Sequence, residues 1–213
     1  MVEIAICLAI IGFALVAIIG ILPAGLQVQK ENREDTLISQ DGEYFMEAIR
    51  NGAAGLDNLA SNVDAIIVGG TWDLSLAGGA WYQTTNQNAA PSVFINTGHD
   101  IIGLLTTPSD SNGVFAIVRP LGGSAAESGT SARDFAFRYR LTVQQTNFIY
   151  SAPELDTNIN SVVSTNLHDL RLEFRWPVHP DGSVGNGRQV FRALVSGTLF
   201  NDPPNSPYYF FRP

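Results

Sequence analysis

The chain has 213 residues, 45% of them hydrophobic and only 15% charged, enough for one globular domain and an appendage. Its net charge of −8 argues against a nucleic-acid partner, which would need clustered Lys and Arg. A single cysteine, Cys7, rules out an intrachain disulfide, the usual staple of a small secreted domain.

The first predicted element is the stretch MVEIAICLAIIGFALVAIIGILPAGLQ. One carboxylate, Glu3, precedes 19 uncharged residues, Ile4–Leu22. As a helix these reach about 28 Å, close to the hydrocarbon thickness of a bilayer. A signal peptide would carry positive charge before the apolar run and a small-residue cleavage site after it; neither is present. A core helix this uniformly apolar would be out of proportion in a domain of this size. A plain membrane anchor suits residues 4–26 but leaves Glu3 unexplained, because a carboxylate at a membrane helix end costs energy unless it reaches water or a cation. Gly20, Pro23 and Gly25 predict a kink or melted turn, since proline removes a helix hydrogen bond and glycine weakens a helix by about 1 kcal/mol relative to alanine.

The pattern then becomes amphipathic. Leu37, Ile38, Phe45, Ala48 and Ile49 recur at helical spacing among charges, so the same helix is expected to continue to about Asn51-Gly52 with its apolar face on a sheet. The charges between Lys30 and Asp35 read as a solvated face or an inter-subunit contact.

Residues 53–130 are rich in Gly, Ala, Ser, Thr and Asn, with short strands predicted at Ala65–Val68, Ser92–Ile95 and Val114–Val118 between glycine pairs. SAAESGTSARD (124–134) reads as a loop. In FAFRYRLTV (135–143) and LRLEFRWPV (170–178), large apolar residues alternate with Arg, Glu and Thr, the mark of half-buried strands with a charged outer face. HPDGSVGNG (179–187) reads as turn material and RQVFRALVSGTLF (188–200) as the returning strand. A long helix followed by an antiparallel sheet predicts an α+β fold.

No pattern carries catalysis, and no catalytic residue, cofactor or metal site is assigned. His99, His168 and His179 are scattered without ligand spacing and read as surface or turn residues. Asp169 follows His168, but neighbours on a strand point to opposite faces. Asp110-Ser111-Asn112-Gly113 begins like a calcium loop, yet its twelfth position is Leu121 rather than a glutamate.

Val2-Glu3 followed by Ala9-Ile10-Ile11-Gly12 and then Ile21-Leu22-Pro23-Ala24 resembles the N-terminal helix of type IV pilins and pseudopilins. The likeness covers roughly the first 30 residues, with a looser echo in FRWPV and GNGRQVFRALVSG. It implies a prepilin peptidase, an N-methyltransferase and a mature chain beginning two residues before Met1. It also implies a subunit that sits in the inner membrane and then joins a helical homopolymer, an extracellular filament, driven by an assembly ATPase and platform protein. Ile4, Ile6, Leu8, Ile10, Ile11, Phe13, Leu15, Ile18 and Ile19 would pack the filament core. Glu3 would neutralise a neighbour's N-terminal amine as a docking charge, and Gly20, Pro23 and Gly25 would form a hinge. The expected organisation is a membrane or filament-core half (1–26), an amphipathic half (27–52) and a β-rich head (53–213). The reading from a different class is a membrane-anchored periplasmic or surface binding module that does not polymerise. Its ligand would be a carbohydrate stacked on Trp72, Trp81, Tyr82 or Trp176, although Trp176 lies on an apolar strand face and suits core packing better.

Overall fold

A computed structural model of the chain describes residues 2–52, 57–68, 80–83, 92–94, 97–108, 113–122, 137–148, 157–179 and 181–212. The fold is α+β: a 50-residue helix α1 (Val2–Asn51) followed by a mainly antiparallel sheet. Two compact units divide the chain, Met1–Ser39 and Gln40–Pro213, so the last turns of α1 belong with the strands.

Helix α1 runs through Gly20–Gly25 without interruption, with Pro23 inside it, so the broken turn expected there is corrected. Proline withholds one N–H, and the residues on both sides keep helical geometry. A single absent bond does not end a helix whose neighbours are Ile, Leu and Ala, all compatible with helix.

In the second unit the main sheet has, among the described residues, seven strands: β1 (Val63–Val68), β2 (Ala80–Gln83), β3 (Ser92–Phe94), β4 (Val114–Val118), β5 (Tyr139–Asn147), β6 (Leu167–Val178) and β7 (Val184–Ser196), in the spatial order β3-β2-β1-β4-β5-β6-β7. Every neighbouring pair is antiparallel except β2 with β3, which is parallel. The short strands of the glycine-rich region thus join the same sheet as the long C-terminal ones. The alternation read in the sequence sets the faces. Tyr139, Leu141 and Val143 of β5, and Leu170, Leu172, Phe174 and Trp176 of β6, are buried, and Arg140, Arg171, Glu173 and Arg175 point the other way. Against the buried face lie Asp41, Gly42, Phe45, Ala48 and Ile49, at helical spacing near the end of α1. A Cβ on Gly42 would strike the Phe191 ring, so glycine here lets α1 approach β7 closely.

The turn between β6 and β7 is shorter than expected. His179 N–H donates to Ser183 O at 2.8 Å, and Gly182 takes a positive φ of 83° that favours glycine. Val184–Gly187 are strand rather than turn, and their glycines accommodate a side chain. Gly187 lies opposite Trp176, and a Cβ there would sit 2.5 Å from the indole ring. Gly187→Val should therefore cost about 1–3 kcal/mol by overpacking, read as a lower urea midpoint.

The returning strand expected over 188–200 breaks at Gly197 (φ 132°) into β7 and a strand of a second sheet, and two short helices carry no clear signal in the sequence. Helix α2 (Gly98–Leu105) is capped by Thr97, whose hydroxyl accepts from Asp100 N–H at 3.1 Å, and buries Ile101, Ile102, Leu104 and Leu105. Helix α3 (Thr157–Asn166) precedes β6. Strands β8 (Thr198–Asn201) and β9 (Tyr209–Arg212) form a separate antiparallel pair, with Phe210 and Tyr208 closing over Gly103 of α2.

Candidate functional site: an apolar helix, a buried acid and an arginine face

The N-terminal part of α1 is apolar and, among the described residues, exposed along its length. Glu3 lies in the first turn. Ile4, Ile6, Leu8, Ile10, Ile11, Phe13, Leu15, Ile18 and Ile19 are all exposed, Phe13 at 80%. The segment is long and apolar enough to cross a membrane, and none of its most apolar window is buried in the chain itself. An isolated monomer in water would expose far more contiguous hydrocarbon than soluble proteins tolerate. Gly12, Gly20 and Gly25 have open space around them.

A buried acid ties the other end of α1 to the sheet. Asp41 Oδ2 accepts from Tyr139 O–H at 2.7 Å, and the carboxylate also accepts from Leu121 N–H at 3.2 and 3.3 Å. Burial pushes its pKa up to about 6, against the opposing pull of these two donors. Tyr139, fully buried, is pushed well up by burial and then by the Asp41 charge. Asp41 has no local signature in the sequence, because its partners lie 80 and 98 residues away.

The histidines divide. His179 is exposed at the turn, and His99 is exposed with its ring 4.3 Å from that of Phe210. His168 corrects the surface expectation, being only 3% exposed. Gln145 Nε2 lies 2.8 Å from its Nδ1, and its Nε2 lies 3.1 Å from Gly197 O. Burial lowers its pKa; Nε2–H donates to Gly197 O, while Nδ1 faces both Gln145 Nε2 and, at 3.1 Å, Asn147 Oδ1. The signal available in the sequence is the alternation itself, which puts His168 in phase with Leu170 and Leu172. Asp169 points away, as expected, and pairs with Arg192 at 2.6 Å. Among the described residues no group of three or more His, Cys, Asp or Glu is placed to hold a metal. Residues 110–112 and Trp72 lie outside the described residues, as do the side chains of Trp81 and Tyr82. Trp176 is buried in the core.

No protein family, curated protein or solved structure matches the chain. The architecture, a long apolar N-terminal helix followed by an antiparallel sheet, is pilin-like.

The outer face of β5–β7 gathers cations in a chain that is acidic overall. Arg140, Arg175 and Arg188 stand in register across three strands, and Arg171 stands opposite Arg192. Glu173 takes Arg175 at 2.7 Å, Arg188 at 3.1 Å and Arg171 at 3.3 Å. The Arg188 hydrogen bond foremost, opposed next by burial and then reinforced by the Arg175 hydrogen bond and both charges, holds the Glu173 carboxyl down at about 2. A depressed carboxylate contributes stability above its ordinary value of 4.5, lost as pH falls towards 2. Glu173→Gln should flatten that acid limb in pH-dependent urea unfolding, by a small amount because the arginines are about half exposed.

Proposed function

We propose that the chain is the structural subunit of a type IV pilus or pseudopilus-like filament, held in the inner membrane by α1 and then polymerised through the same helix at the cell surface. One observation carries this reading: a helix with no buried residue in its apolar half and a lone carboxylate, Glu3, in its first turn. A membrane could cover the apolar surface before assembly, and identical helices could cover it afterwards. Only the second environment gives Glu3 a use, since a dry bundle of helices lets it pair with a neighbour's N-terminal amine. The residues from Ile4 to Ile19 form the packing surface of that bundle. Pro23, between Gly20 and Gly25, is the point where α1 resists bending least once neighbours compete for its backbone groups. A prepilin peptidase, an N-methyltransferase and an assembly ATPase with its platform are the partners this reading requires.

Negative-stain microscopy of material sheared from cells expressing the protein is the test. Filaments that bind an antibody against the head support the subunit. A protein that stays in the membrane fraction as a detergent-soluble monomer, with no filaments in the sheared fraction, overturns it in favour of an anchored module.

A further inference from the structure

We propose that the arginine face of β5–β7 is an interface with a second copy of this chain, and that it receives the Val28, Glu31 and Asp35 stripe of the neighbour's α1. The inference rests on the filament reading and names where the head of one subunit meets the helix of another.

The face carries a cost that the fold does not need. Like charges directly opposite on neighbouring strands destabilise a sheet. Here Arg140, Arg175 and Arg188 are in register across three strands about 4.8 Å apart, with Arg171 opposite Arg192 in a second row. Strands β5, β6 and β7 set two acids, Glu173 and Asp169, among these five guanidinium groups. The pKa of Arg140 is lowered, by burial and then by Arg175, the same crowding seen from the other side. The net charge of the chain is −8, so this surplus is local and opposite in sign to the rest.

The chemistry of the face points to a protein partner. On β7 the outward positions alternate Arg188, Val190, Arg192 and Leu194, and the two aliphatic residues are 40% and 51% exposed. Exposed aliphatics add nothing for a solvated polyanion but bury well against another protein, and arginine is the cation enriched at such interfaces. Eleven of the chain's twelve cations are arginine, Lys30 being the exception.

The complementary surface is on the chain itself. Val28, Glu31 and Asp35 fall at positions i, i+3 and i+7 of α1, one stripe of the helix. All three are exposed. Helical spacing turns Lys30 and Arg33 to other sides, and Lys30 pairs with Glu34 at 3.8 Å. The stripe is therefore aliphatic and then acidic, matching a face that is aliphatic and cationic. It directly follows the apolar segment that the filament reading places in the core.

The test is cross-linking between two differently tagged full-length copies, both carrying Cys7→Ser. One carries Arg192→Cys and the other Asp35→Cys. A thiol cross-linker is applied to membranes and to sheared material, with Asp181→Cys, on the exposed β6–β7 turn, replacing Arg192→Cys as control. The expected product is a species carrying both tags, absent from the control. Adding Arg188→Glu to the first copy should reduce that product about ten-fold, because it sets a like charge against the acidic stripe. Adding Glu31→Arg to the second copy as well should restore it. No product above control in either fraction overturns the inference. Filaments without the product leave the filament reading standing, and the product in membranes without filaments does the reverse. Absence of product together with retention on a sulfated-polysaccharide resin, lost in Arg188→Glu, would assign the face to an anionic polymer and equally overturn the second copy.

Discussion

Glu3→Val is expected to leave the protein abundant in the membrane and to abolish most filament assembly. In the proposed filament, Glu3 meets a neighbour's N-terminal amine within a sheath formed by Ile4 to Ile19, whose large apolar side chains are exposed in the subunit. Valine leaves that amine buried and unpaired, and breaking one side of a buried pair costs about 3–5 kcal/mol. Repeated at every subunit added, a cost of that size shifts each addition step by more than a hundred-fold, since about 1.4 kcal/mol is a factor of ten. The same substitution removes a charge from the helix end and makes membrane insertion easier. The two consequences run in opposite directions, which separates a docking charge from a general folding defect. The measurement is the ratio of sheared to membrane-bound protein in a host lacking the native copy. A normal ratio would sink the role assigned to Glu3, even if filaments form.

The second large effect concerns Asp41. Its pKa is raised from 3.8 to about 6 in the folded chain, so the native state holds this proton more tightly than the unfolded state. The contribution to stability is therefore full below the unfolded value, shrinks as pH rises through 6 and is flat above it. A rise of that size corresponds to about 3 kcal/mol across the window. Urea unfolding of the full chain in detergent should show stability falling by about that amount between pH 4 and pH 7, net of other groups. Asp41→Asn should remove the slope and keep the fold. Its amide oxygen can accept from Leu121 N–H and its nitrogen can donate to the Tyr139 hydroxyl. An unchanged slope in Asp41→Asn would show that another group titrates in this range. Asp41→Ala at pH 4 is the contrasting case. It strands the Tyr139 hydroxyl and the Leu121 N–H, at about 1–3 kcal/mol for each buried donor.

Local periodicity makes much of this architecture legible. FAFRYRLTV and LRLEFRWPV declare their inner and outer faces by alternation, and β5 and β6 adopt them, although β5 begins only at Tyr139. The apolar run and the spacing of Phe45, Ala48 and Ile49 announce one continuous helix, and propensity misleads only at Pro23, where the missing donor weighs less than it promises. Helix α2 is hidden by its composition. Gly98 and Gly103 make GHDIIGLL look like loop and strand, although Thr97 three residues before Asp100 is a usable start signal. Gly187 looks like a turn residue, whereas its purpose is to sit beneath Trp176. The Asp41 contacts and the register of the arginines are not legible locally. Both depend on which strands become neighbours, and no single stretch of sequence carries that information.

The distance along the chain between Asp41 and Tyr139 has a consequence for biosynthesis. The two residues are 98 positions apart. At roughly 5–20 residues per second, Tyr139 leaves the ribosome about 5–20 seconds after Asp41. Throughout that interval the end of α1 has neither the hydroxyl nor the strand that will hold it, while the apolar segment ahead of it is already complete. In the proposed reading the apolar segment is thus available to a membrane before β5 exists, and β5 closes on Asp41 only afterwards. A ribosome stalled just before Tyr139 emerges would hold a chain whose apolar helix is complete and whose Asp41 is still unlatched.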